Sequence, residues 1–107
     1  MVPQIQPSDL KKMLDSGLPV VLLDVRQPEE HAYCALAGSV LIPLGELPAR
    51  AGELDPTDTL VVVYCHHGVR SLSGAAILAR AGFPNVASLA GGIDRWSEVV
   101  DPAVPRY

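Results

Sequence analysis

Residues 20–25 (Val-Val-Leu-Leu-Asp-Val) and 59–64 (Thr-Leu-Val-Val-Val-Tyr) are short, almost wholly apolar and rich in valine. A strand with one wet face alternates apolar and polar residues, whereas a strand covered on both faces runs apolar throughout. The two runs therefore predict central strands of a parallel sheet that is packed against helices on both sides.

The rest of the chain supplies the matching helices. Leu10, Met13 and Leu14 fall at helical spacing after Ser8, which can cap, and before Gly17 and Pro19, so a first helix is expected at about residues 9–16. Leu72, Ala75, Ala76 and Ala79 form one face of a helix over 71–81, stopped by Gly82 and Pro84. Short helices are expected at 28–34, at 46–54 (ended near Asp55 and Pro56) and from Ile93 to about 99, with short strands at 40–42 and 86–89. The expected architecture is an α/β open parallel sheet of about five strands flanked by helices on both faces. A chain of 107 residues accommodates one core. A single domain is expected, with its core over about 4–100 and a proline-containing tail at 101–107 running extended over the surface.

Composition removes several classes of function. Of all residues 49% are hydrophobic and 19% charged, which suits a globular protein and not a disordered one. A net charge of -4 and the lack of any basic run argue against nucleic acid as a partner. No stretch is long enough to span a bilayer, and the residues before Lys12 lack the apolar core of a secretory signal, so no membrane partner is expected and the cytoplasm is the expected compartment. Thiols stay reduced there, which makes Cys34 and Cys65 separate questions instead of a disulfide.

Cys65 stands where a buried strand ends, followed by His66, His67, Gly68, Val69 and Arg70, with a helix expected from Ser71. Ligands of open α/β sheets bind at this edge. A tight loop entering a helix turns backbone N–H groups and the positive end of the helix dipole toward one point, and such a cradle suits an anion. A Cys65 sulfur pointing into it is favoured as the thiolate, the nucleophilic form. Arg70 adds a planar guanidinium able to grip an oxyanion with two hydrogen bonds, and Gly68 lets the backbone bend. The candidate site is thus Cys65 as nucleophile, with His66, His67, Gly68, Val69, Arg70 and Ser71 as loop amides and anion clamp.

The plainer reading of such a cysteine is a small buried hydrophobe, and glycine, arginine and helix start in register weigh against it. Zinc is disfavoured because the adjacent Cys65, His66 and His67 cannot converge on one ion without further ligands. The two histidines read as rim side chains or partners of the bound anion. Cys34 reads as a small buried residue at the end of a short helix. Arg26 and Glu30, four apart, read as a helix-entry ion pair, Asp24 as scaffold, and Trp96 as an anchor for the last helix.

The run Val63-Tyr64-Cys65-His66-His67-Gly68-Val69-Arg70-Ser71 resembles the active-site loop of rhodanese domains, sulfurtransferases whose cysteine cycles through a persulfide. Leu22-Leu23-Asp24-Val25-Arg26 with Glu30 resembles the family's amino-terminal signature, and Leu89-Ala90-Gly91-Gly92-Ile93-Asp94-Arg95-Trp96 its carboxyl-terminal one. The chain departs from the family where Gly-His-Ile-Pro-Gly-Ala is common: it has Cys34-Ala35-Leu36-Ala37-Gly38-Ser39, with Ile42-Pro43-Leu44 following. Four residues separate Cys65 from Arg70, as in the sulfurtransferases, where related phosphatases have five. The resemblance implies two half-reactions that require neither metal nor organic cofactor. Cys65 takes a sulfane sulfur from a small anionic donor such as thiosulfate, and an acceptor then removes it: cyanide in the test tube, a small thiol or a sulfur-acceptor protein in the cell. A binding module that keeps the fold without catalysis, and a relay that works only with a partner protein, are the other readings of the same residues.

Overall fold

The structure, a computed structural model, describes residues 2–54 and 58–107. Its strands are β1 (Gln4–Ile5), β2 (Val20–Asp24), β3 (Val40–Leu41), β4 (Leu60–Tyr64) and β5 (Val86–Leu89). All pair in parallel in one five-stranded sheet of order β1-β5-β4-β2-β3. The two valine-rich runs take the middle, in register from Val20 opposite Leu60 to Asp24 opposite Tyr64.

Side chains alternate across a strand, and here each side has its own core. Leu23, Val25, Val61, Val63 and Cys65 pack with Leu47 of α3 (Leu47–Arg50) and with Ala75 and Leu78 of α4 (Arg70–Arg80). Leu22, Val62 and Tyr64 pack instead with Leu10 of α1 (Pro7–Asp15) and with Ile93 and Trp96 of α5 (Gly92–Val99). Because both faces are covered, neither strand carries the alternating pattern of a half-wet sheet. The remaining helix, α2 (Pro28–Tyr33), buries none of its residues and follows β2.

Several boundaries differ from expectation for local reasons. Ser8 does not cap α1; Pro7 occupies the first helical position, where its missing N–H costs nothing, and Gln6 precedes it in extended conformation. The stops at Gly17 and Gly82 hold, with Leu18 N–H donating to Met13 O and Phe83 N–H to Leu78 O, each at 3.1 Å. The helix expected over 46–54 is broken into a 3-10 turn at Leu44–Glu46, the short α3 and a second 3-10 turn at Ala51–Glu53, as Gly45, Pro48 and Gly52 would dictate. Its expected end at Asp55 and Pro56 lies outside the described residues. Strand β1 was not expected, because two residues between prolines carry no periodicity; its register, Gln4 opposite Ser88, is set by β5.

Residues 101–107 are not simply extended. Asp101 folds them back, its carboxylate accepting from Ala103 N–H (3.0 Å) and its carbonyl from Val104 N–H (3.1 Å). Among the described residues no helix is long and apolar enough to cross a membrane.

Candidate active site

Residues 65–69 link the carboxyl end of β4, the central strand, to the first turn of α4. Cys65 is 1% exposed, and its sulfur receives Gly68 N–H at 3.1 Å and Ser71 N–H at 3.4 Å. The thiol lies 3.5 Å from Ser71 Oγ, itself 2.7 Å from Ser88 Oγ on β5. Ser71 therefore contributes a hydroxyl as well as an amide, and the fully buried Ser88, which sequence reasoning passed over, holds that hydroxyl. Gly68 has φ +96°, and a Cβ there would meet Gly91 N at 3.0 Å. Only glycine satisfies both conditions without strain.

A second helix start fixes the loop from the other side. Ile93 N–H donates to Cys65 O (2.9 Å) and Asp94 N–H to His66 O (3.1 Å), so the first turn of α5 satisfies carbonyls that the buried loop would otherwise leave without partners. This approach is very close: a Cβ on Gly92, whose φ is +64°, would fall 2.5 Å from Cys65 O. The Gly-Gly pair preceding Ile93 was the available sequence signal for this clamp.

Arg70 does not stand alone beside the sulfur. Its Nη1 and Nη2 grip Glu30 Oε1 and Oε2 at 2.8 and 3.0 Å, with side chains 34% and 18% exposed. Arg70 pulls the Glu30 carboxyl down to about 2, helped by Gln27 N–H and Tyr107 against the effect of burial. The expected Arg26–Glu30 pair is therefore absent. Arg26 is fully buried and turns to Asp24, two residues back at the end of β2: Nε donates to Oδ1 (2.9 Å) and Nη2 to Oδ2 (2.8 Å). Burial opposes the Arg26 charge, yet Asp24 and Tyr107 more than offset it and raise its pKa above the ordinary arginine value. Arg26 also donates to Cys34 O (2.6 Å) and Tyr107 Oη (2.8 Å), while His31 Nδ1 lies 2.8 Å from Asp24 Oδ2.

His66 and His67 stack at 3.8 Å, and the other face of His66 stacks on Tyr107, also at 3.8 Å. Burial first, then the neighbouring His67, lowers the His66 pKa. Val69 points outward, 73% exposed, so it serves the loop only through its backbone. His66, His67 and Asp94 bring three possible ligand atoms within 4.8 Å of one another. The Asp94 oxygens also accept from Arg106 at 2.9 and 3.1 Å. Cys34 is buried at the end of α2, a free thiol packed in the core opposite that of Cys65. Trp96 is buried and anchors α5 as expected.

A buried cysteine at the end of the central parallel strand, its sulfur accepting two backbone N–H groups where a helix begins, defines an α/β protein with a cysteine-centred loop. The chain belongs to the rhodanese-like domain family, whose family model matches residues 6–99. It is 35% identical over 97 residues to a sulfurtransferase of Allochromatium vinosum, with 91% of this chain and 90% of the relative covered. It is 36% identical over 104 residues to the "probable adenylyltransferase/sulfurtransferase MoeZ" of Mycobacterium tuberculosis, covering 96% of this chain but 26% of that protein. Among solved structures, a rhodanese-related protein from Thermoplasma volcanium superposes with a TM-score of 0.84 at 31% identity, covering 98% of this chain and 99% of the other.

Proposed function

We propose that the protein is a sulfurtransferase that carries sulfane sulfur as a persulfide on Cys65. Support comes chiefly from one observation: the Cys65 sulfur lies in a four-residue loop and accepts N–H groups from Gly68 and Ser71 at the start of α4. In the loading step the Cys65 thiolate attacks the outer sulfur of thiosulfate. A new S–S bond forms, the S–S bond of the donor breaks, and sulfite leaves with its electron pair. In the second step an acceptor attacks the outer persulfide sulfur, and Cys65 departs as thiolate. The added sulfur stands about 2 Å beyond Sγ, toward the mouth of the loop, where the amides of His66, His67, Val69 and Arg70 complement its charge.

Arg70 binds the sulfonate end of the donor through guanidinium N–H groups that Glu30 leaves unused. No metal or organic cofactor enters either step. The acceptor in the cell is a thiol or a sulfur-carrier protein, a reading in keeping with the relative whose name joins adenylyl transfer to sulfur transfer. Steady-state turnover of thiosulfate with cyanide tests the assignment. Parallel lines in double-reciprocal plots are expected, as is complete loss of turnover in Cys65→Ser with an unchanged fold by circular dichroism, because an alcohol forms no persulfide. Retained turnover in that variant would contradict the assignment.

A further inference from the structure

Residues 104–107 are held at every position, the first two by Ser97 and Cys34 and the last two by groups at or next to the Cys65 loop. Val104 O accepts from Ser97 Oγ (2.6 Å), and Pro105 O lies 3.5 Å from Cys34 Sγ. Arg106 forks onto Asp94 (2.9 and 3.1 Å), the residue whose own N–H fixes His66 O. Tyr107 Oη accepts from Arg26 Nη1 (2.8 Å) and donates to Glu30 Oε2 (2.6 Å), while its ring lies on His66 at 3.8 Å and 4°. Tyr107 thus touches both the Glu30–Arg70 pair and the loop residue next to Cys65. The side chain of Arg106 is 56% exposed and Tyr107 as a whole 43%. An ion pair as exposed as Arg106–Asp94 is weak enough to open in local fluctuations.

We propose that residues 104–107 form a strap closed across the rim of the Cys65 loop, and that it must lift from Glu30 and His66 before a bulky donor or acceptor reaches the sulfur. This rests on the reading of Cys65 as the sulfur-accepting residue. The strap makes the site selective by size and by the ability to displace it: a partner that offers an acceptor for Arg26 and a flat group for the face of His66 replaces the contacts Tyr107 gives up.

Labelling kinetics of Cys65 in the full chain test the gate, with iodoacetamide as a small probe, fluorescein maleimide as a large one, and peptide mapping to separate Cys65 from Cys34. Tyr107→Ala removes the ring and both hydrogen bonds. Arg106→Ala loosens the strap through an exposed contact that touches neither Glu30 nor His66. The expected result is a rise of about fivefold or more in maleimide labelling of Cys65 in Tyr107→Ala, a smaller rise in Arg106→Ala, and weaker effects with iodoacetamide. Unchanged Cys65 rates in both variants would overturn the gate. So would a rise confined to Tyr107→Ala and accompanied by a lower melting temperature, since that result assigns the effect to a disturbed Arg26 network. Alkylation requires no sulfur transfer, so failure here leaves the proposed function standing, and failed turnover leaves the gate intact.

Discussion

Arg70 holds Glu30 through two parallel hydrogen bonds, a grip that a lysine ammonium cannot copy. Arg70→Lys is therefore expected to lower kcat/KM for thiosulfate by about tenfold or more, the scale of one charge-assisted hydrogen bond, with a smaller effect on labelling of Cys65 by a neutral alkylating reagent. Unchanged kcat/KM would remove Arg70 from donor binding. At this scale the sequence was informative about where Cys65, Gly68 and Arg70 lie, at a strand end, in a tight loop and at a helix start, because helix entry, loop length and residue type all converge on one short segment. It was uninformative about the partners. Arg26 choosing Asp24 over Glu30 depends on Arg70 arriving at the start of α4 to take Glu30, and Ser88 holding Ser71 depends on strands β4 and β5 being neighbours. Neither is a local property of the chain.

Two helix starts meet at the loop, and they were not equally visible. The α4 start could be read from the apolar face that follows it, whereas the α5 start bonds the Cys65 and His66 carbonyls across a distance in sequence that no periodicity reports. Gly92→Ala tests that clamp. A left-handed φ costs a side chain about 1–3 kcal/mol, and here the Cβ would also collide with the Cys65 carbonyl. Gly82→Ala is the control, since Gly82 has φ +100° but nothing within 4 Å of its added Cβ. The expected outcome is a larger fall in melting temperature for Gly92→Ala than for Gly82→Ala, with Cys65 chemistry impaired only in the former. Equal losses would show that backbone conformation alone, and not the approach to the loop, demands glycine at 92. The strands β2 and β4 were legible because burial on both faces leaves a continuous apolar run; β1, two residues long, acquires its structure from β5 alone.

Across the whole molecule, the Glu30–Arg70 pair ties α2 to α4 and should be felt as stability against acid. The Glu30 carboxyl is pulled from 4.5 to about 2 by Arg70. A carboxyl that is more acidic in the folded chain than in the unfolded one stabilises the fold fully above its unfolded value, and that contribution is lost as pH falls through the folded value. Stability is thus expected to decline between about pH 4.5 and about pH 2, with a shallower decline in Glu30→Gln, read as urea midpoints at about pH 6 and about pH 3. Parallel declines would mean that Glu30 gains nothing from the pair. The closing segment, by contrast, had no readable destination: its prolines announced a chain leaving the core, while the side chains that receive Tyr107 come from the segment after β2, from α2 and from the Cys65 loop and are brought together only by the finished fold. The central claim, that Cys65 carries sulfur, is most directly tested by intact mass spectrometry of the reduced protein after mixing with thiosulfate. A gain of about 32 Da, one sulfur atom, that maps to Cys65 and is reversed by a reducing thiol is the result expected. An unchanged mass, or an adduct that persists in Cys65→Ser, would contradict it.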